Sequence, residues 1–435
     1  MDLTLLGVLG IVSVIVLIFL GVNLGLAMAA VGFVCFALAT NFSAAFGLFR
    51  TVPFTNAVSY SLSVIPLFIL MGQFAYYSGI SHSLYDATDK WLSRMKGGQC
   101  VATIATAAGF AAICGSATAT AATLGTLALP SMRKYNYDDG LSAACIAAGG
   151  GIGILIPPST AFIVYAMAAT QSVGRLFAAG IMPGLLLTTL YIITIQIICA
   201  INPKLAPSSG VKYSWGEKFK SLLGALPIGI LFIIVIGGIF AGIFTANEAA
   251  AIGALAGLII TALKRRLTVK ILIQALVDSI KVTAMIFMIF IGAYIFGYFL
   301  TVTMIPKTLA GFVAGLQVRP YIVICVIMLV YLGLGCIMDT MAMVLLTVPI
   351  FLPIVEQLGF DPVWFGVMIV IMMQQGAMTP PVGMNVYVVA GIARDIPMPK
   401  IFKGCVPFVI AVFVAALLIL VFPQIALWLP NLIYE

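Results

Sequence analysis

The sequence predicts an all-α integral membrane protein made of two similar halves that run in opposite directions through the bilayer. Three observations predict it. Of 435 residues, 63% are hydrophobic and 8% are charged, whereas a soluble domain carries roughly 25% charged residues. A shift of 223 residues (353 − 130) takes Pro130 to Pro353, Gly153 to Gly376, Pro157 to Pro380 and Pro158 to Pro381. The Lys and Arg residues fall in the connections between apolar runs, where their placement sets the direction of each half.

A hydrocarbon core about 30 Å thick is spanned by roughly 20 apolar residues. Runs of this kind occupy residues 3–20, 24–38, 61–77, 185–200, 226–244, 249–263, 282–300 and 408–427. The chain opens with Met1-Asp2, without Lys or Arg, and no small-residue cleavage site follows. The first run is therefore expected to stay as a span rather than be removed as a signal peptide. The same shift carries 3–20 onto 226–243, 24–38 onto 247–261 and 61–77 onto 284–300. The halves are residues 2–202 and 225–425, joined by a polar connector at 203–224.

Lys204, Lys212, Lys218 and Lys220 place that connector in the cytoplasm. Two runs later, Lys264-Arg265-Arg266 with Lys270 marks the cytoplasm again. The run at 282–300 then exits, leaving Lys307 and Arg319 outside, while Lys90, Arg94 and Lys96 of the first half belong inside. These assignments agree only if residues 99–129 enter and leave on one side, as a re-entrant hairpin of two half-depth helices, each roughly a dozen residues long. It turns near Cys114-Gly115-Ser116, and its counterpart at 322–352 turns near Met338-Asp339 from the opposite face. Arg394, Lys400 and Lys403 then fall inside and both termini outside. Hydropathy alone also permits one long tilted span over 99–129, but the charge placement opposes it.

Each hairpin is followed by a helix broken at a proline pair, at about 138–172 and about 361–393. The breaks read Gly-Gly-Gly-Ile-Gly-Ile-Leu-Ile-Pro-Pro-Ser-Thr over 149–160 and Gly-Ala-Met-Thr-Pro-Pro-Val-Gly-Met-Asn over 376–385. Paired prolines remove two amide donors and push the preceding residue out of helical geometry. The carbonyls freed there need partners, and a dehydrated cation lined by oxygens is one. Ser116, Ser159 and Thr160 in the first half, with Asp339, Thr340, Thr379 and Asn385 in the second, supply further oxygens. Sodium suits such a site, which has no need of histidine. An intramembrane carboxylate marks a functional site by default, so Asp339 is the leading candidate; its competing reading is a cap that closes the turn. The proline pairs could likewise be static kinks, and the glycines at 149–153 could serve close helix packing. Glu248 reads as a helix N-cap, and Trp91, Trp215, Trp364 and Trp428 read as interface anchors near span ends. Inverted halves with interrupted helices are a recurring plan of secondary transporters.

Other chemistries are excluded. His82 is the only histidine and lies in a polar connection beside Ser81 and Ser83. The eight cysteines (Cys35, Cys100, Cys114, Cys145, Cys199, Cys325, Cys336 and Cys405) stand singly, mostly in apolar stretches, and read as buried free thiols. No phosphate-binding GxxxxGK[ST] loop occurs, so uphill transport would draw on an ion gradient or a separate ATPase. The net charge of +8 is scattered rather than gathered into a nucleic-acid stripe. Without a histidine in an apolar run or a carboxylate pair, an intramembrane enzyme has no machinery.

The small-residue hairpin at 109–130, the Leu-Ile-Pro-Pro-Ser stretch in its glycine-rich setting at 149–159 and the later Met-Thr-Pro-Pro-Val-Gly resemble one family. This is the DctM-like large membrane (M) subunit of tripartite ATP-independent periplasmic (TRAP) transporters, and the resemblance covers essentially the whole chain. It implies a sodium-driven system of the bacterial inner membrane that imports an acidic organic solute, such as a sialic acid or a C4-dicarboxylate. The expected partners are a separate small membrane subunit of about four helices (Q type) and a periplasmic solute-binding protein (P type). No cofactor is implied beyond sodium as the coupling ion, and no nucleic acid. The resemblance also implies an elevator, in which hairpins and broken helices move against a scaffold. It places sodium at Ser116, Pro157, Ser159, Asp339, Thr379 and Gly383. Ion and solute contacts are expected at these and at Gly115, Gly153, Ile156, Pro158, Thr160, Thr340, Gly376, Pro380, Pro381 and Asn385. A stand-alone sodium- or proton-coupled carboxylate carrier of similar fold is the alternative.

Overall fold

Every regular element in the computed structural model is a helix; residues 2–207, 211–315 and 318–434 are described. Met1, residues 208–210 of the connector, 316–317 before the second hairpin and residue 435 lie outside the described residues. Among those described, 7 helices are long and apolar enough to cross a membrane: Tyr60–Tyr77, Val173–Ile201, Trp215–Phe240, Ala246–Leu263, Val269–Val302, Thr340–Gln357 and Met398–Val421. Shorter apolar helices include Leu3–Phe19, Leu24–Ala39, Gly98–Cys114, Pro320–Gly335 and Pro362–Gly376.

The first hairpin has arms Gly98–Cys114 and Ala117–Lys134, of 17 and 18 residues. Both exceed the expected dozen, and the second runs on through Pro130, whose missing amide removes only one helical bond. The second hairpin has arms Pro320–Gly335 and Thr340–Gln357. The broken helices are Asp139–Ile152 with Thr160–Ala168, and Pro362–Gly376 with Met384–Ile392. Short polar residues start most of these helices by accepting from an early amide: Ser116, Asp138, Ser159, Asp339 and Asp361 all do so. Glu217 and Glu248 close reciprocal capping boxes with Ser214 and Thr245.

Helix pairings across the chain are reciprocal. Leu24–Ala39 packs on Val269–Val302, and Ala246–Leu263 packs on Val64–Tyr77. Asp139–Ile152 packs on Met398–Val421, and Pro362–Gly376 on Val173–Ile201. Ala117–Lys134 meets Met384–Ile392, and Thr340–Gln357 meets Thr160–Ala168. Small residues allow a close crossing, where a Cβ on Gly292 would strike the Gly25 backbone and one on Gly25 the Met288 backbone.

Cationic connections gather at one end. Lys264 Nζ donates to Ser83 Oγ at 3.1 Å, Trp91 Nε1 to the Lys218 carbonyl at 3.1 Å, and the Asp138 amide to the Leu205 carbonyl at 2.8 Å. Lys400 pairs with Asp138 at 2.9 Å, and Arg133 bridges Asp139 and Asp395. Burial pushes the Asp138 carboxyl up, but Lys400 and the amides of Leu141 and Gly140 outweigh it and hold the group below the usual carboxylate range.

Three readings of side chains need correction. Trp364 is not an interface anchor: it is 1% exposed, stacks on Phe360 and donates Nε1 to the Ile419 carbonyl at 3.0 Å. An indole at a helix start looks interfacial in sequence, but tertiary packing closes over this one. The thiols are free, yet Cys325 is exposed, and Cys35 and Cys114 are only half-buried. His82 is exposed on an amphipathic helix, Ile80–Leu92, rather than in an irregular connection.

Candidate functional site

The first hairpin tip closes on the first helix break. Gly115 ends the first arm with φ +61°, and a Cβ there would sit 2.5 Å from the Pro158 carbonyl oxygen, so only glycine fits. The Gly115 carbonyl accepts both the Thr160 hydroxyl at 2.7 Å and the Thr160 amide at 3.2 Å. Ser159 caps Thr160–Ala168 from the Phe162 amide and donates to the Ile154 carbonyl. A Cβ on Gly153 would lie 2.5 Å from Thr120 Oγ1 and 2.8 Å from the Ser116 carbonyl. Gly153 thus leaves a cradle lined by oxygen, in which the buried Thr120 hydroxyl lacks a partner. Such hard neutral oxygens suit a sodium ion.

The second tip meets the second break in the same manner. The backbones of Gly335 and Gly376 are in direct contact, and the Val382 amide donates to the Cys336 carbonyl at 3.2 Å. Asp339 caps Thr340–Gln357 by accepting the Met341 amide at 3.1 Å. Thr379 Oγ1 donates to the Gln375 carbonyl at 2.7 Å. Gly383, at φ +60°, starts the next helix beside the Phe402 ring. Asn385 reaches across to the first half, donating Nδ2 to the Ala147 carbonyl at 3.1 Å, while its Oδ1 is buried without a partner. Both Pro-Pro peptide bonds, 157–158 and 380–381, are cis. The breaks differ in exposure: Pro157 and Pro158 are buried, whereas Pro380 and Pro381 are exposed.

Ser116, Thr160 and Asp339 come together around one cavity of about 620 Å³ between the two tips. Its opposite wall is Tyr60–Tyr77 and Val269–Val302, which contribute Gln73, Tyr76, Tyr77 and Asp278. Among the described residues, no Lys, Arg or His lines it. The remaining sequence candidates, Ser159, Gly153, Pro157, Pro158, Thr340, Gly376, Thr379, Pro380, Pro381, Gly383 and Asn385 among them, do not line this cavity. Ile156 is buried against Gly184 and does not line the cavity.

Sequence reasoning missed the opposite wall and one buried pair. Gln374 and Gln375 are fully buried just before Gly376; Gln374 Nε2 donates to the Tyr191 hydroxyl at 2.6 Å, but its Oε1 and both polar atoms of Gln375 have no partner. Two adjacent amides in an apolar helix were a readable signal. Asp278 gave a weaker one, as a lone carboxylate in a long apolar helix.

Interrupted helices and hairpin tips that converge on one cavity within a many-helix apolar chain define the class: a multi-pass membrane transporter, not an enzyme. The family model described as "Tripartite ATP-independent periplasmic transporter, DctM component" matches residues 11–425. The chain belongs to that family, and it is a multi-pass protein of the bacterial inner membrane. It is 33% identical over 380 residues to a C4-dicarboxylate TRAP transporter large permease of Pseudomonas aeruginosa, covering 87% of this chain and 88% of that one. A sialic acid TRAP transporter large permease of Vibrio cholerae is 33% identical over 375 residues, covering 86% and 87%. The fold also resembles the YdaH transporter of Alcanivorax borkumensis, with a TM-score of 0.64 at 16% identity over 89% of this chain and 90% of that one.

Proposed function

We propose that this chain is the membrane-translocating subunit of a sodium-coupled importer, which takes an acidic organic solute from a periplasmic binding protein and works beside a small membrane subunit. The cavity between the tips carries this reading: it holds the Asp339 and Asp278 carboxylates and no cationic side chain. A carboxylate solute entering it would meet like charge at low dielectric. Bound sodium supplies the missing positive charge and so couples solute to ion. The oxygen cradle at Gly153, with Ser116, Thr120 and the freed carbonyls near Pro157, and the carboxylate at Asp339 are the places for it. Relatives with this architecture are described as transporters of C4-dicarboxylate, sialic acid and, in Oleidesulfovibrio alaskensis, isethionate; all are organic acids.

The reciprocal packing of the helices supports an inverted repeat, since a two-fold axis lying in the membrane makes each contact twice with the halves exchanged. The gathering of cationic connections at one end supports a cytoplasmic face there. Hairpins and broken helices pack on one another through tips and breaks, which suits a body that moves as a unit against the wall carrying Asp278, as an elevator requires.

Uptake into proteoliposomes is expected only when this chain, the small subunit and the loaded binding protein are all present. Leaving out each in turn checks this, with at least about a tenfold loss expected each time. Equal uptake by the chain alone would establish a stand-alone carrier instead.

A further inference from the structure

Asp278 carries a charge that the rest of the site does not answer. It sits on Val269–Val302 and faces the tips across the cavity. Its Oδ2 accepts the Tyr77 hydroxyl at 2.6 Å, and Gln274 Nε2 lies 3.4 Å from each carboxylate oxygen. Both neighbours are neutral. Among the described residues no Lys, Arg or His pairs with it, and none lines the cavity. Asp339 differs: it caps a helix start, where amide dipoles offset its charge. A carboxylate that lines a cavity without a counter-charge is costly to keep, and Tyr77 would have been satisfied by any neutral acceptor. The rings of Tyr76 and Tyr77 stand edge to face at 5.2 Å beside it, and both line the cavity. A carboxylate that lines a cavity and is met there only by neutral donors is a recognition site for a cationic nitrogen.

We propose that Asp278 is a specificity-determining residue that holds the ammonium of the cargo, so that the solute is a zwitterionic acid rather than a plain dianion. This rests on the reading of the cavity as the solute site. The carboxylate of the solute faces the sodium-bearing tips, and its nitrogen faces the Tyr77–Asp278 wall. A cavity of about 620 Å³ accommodates such a molecule at both ends.

The test uses the full chain with its small subunit in nanodiscs, and reads the melting temperature in sodium and in potassium. The probes are zwitterions (γ-aminobutyrate, proline, glycine betaine) and matched acids without a cation (γ-hydroxybutyrate, succinate). At least one zwitterion is expected to stabilise the protein at lower concentration than either matched acid. Asp278→Asn, which keeps an acceptor for Tyr77, is expected to weaken that zwitterion at least about tenfold more than it weakens either matched acid. The proposal is overturned if succinate or γ-hydroxybutyrate binds as tightly as every zwitterion, if no zwitterion shifts the melting temperature, or if Asp278→Asn leaves the zwitterion unaffected. Should the variant fail to fold, the wild-type preference decides alone. Loss of the sodium shift itself would instead sink sodium coupling, and the amine preference is read separately in potassium.

Discussion

Gly376→Ala is expected to destabilise the protein by more than about 2 kcal/mol and to abolish transport. The added Cβ would fall 2.6 Å from both the Cα and the carbonyl oxygen of Gly335. Those are backbone atoms, so no rotamer change relieves the overlap, and the second hairpin must part from the helix break. The Val382–Cys336 hydrogen bond, which joins the same two elements, would go with it. Gly391→Ala is the control. A Cβ there meets nothing within 4 Å, and replacing a glycine inside a helix stabilises by roughly 0.5–1 kcal/mol. Thermal unfolding of both variants in the same detergent checks the contrast. Equal melting temperatures would show that the tip and the break are not held in contact.

Asp339→Asn is expected to lose nearly all sodium-dependent uptake, or to need at least about tenfold more sodium, while folding normally. Asn and Asp are about equally good N-caps, so the bond from the Met341 amide survives the substitution. Only the charge is removed. The substitution therefore separates the two roles that the sequence leaves open for this residue. Uptake measured against sodium concentration, alongside a melting curve, reads both at once. Wild-type uptake with wild-type stability would reduce Asp339 to a cap.

What could be read from the sequence divides along a physical line. The helix interruptions at Cys114-Gly115-Ser116, at Pro157-Pro158 and at Pro380-Pro381 announce themselves, because proline, glycine and short polar residues act on the backbone of their own neighbourhood. The family was legible for the same reason, since its motifs are these interruptions. Asp278, Gln73 and Tyr77 were not. Gln73 and Asp278 lie inside uninterrupted helices and Tyr77 ends one, and nothing local says which way the helix face points; only packing against the hairpin tips turns them into a cavity wall. Trp364 failed in the opposite sense, because an apolar ring with one polar atom suits an interface and a core equally well. Gln374-Gln375 was available to composition alone, yet its meaning depends on the first half approaching it: the Gln374 side chain packs directly on Gly151. The second arm of the first hairpin outran its expected length because a single proline near the end of a packed helix does not stop it.

Sodium coupling is the centre of the account, since a cavity with two carboxylates and no cationic side chain among its lining residues admits an organic anion only with cations beside it. The most direct measurement is solute uptake by the complete complex in proteoliposomes, driven by an inward sodium gradient and, in parallel, by an equal potassium gradient. Accumulation that follows the sodium gradient and collapses when it is dissipated is the predicted result. Uptake of equal rate and extent in potassium would contradict it.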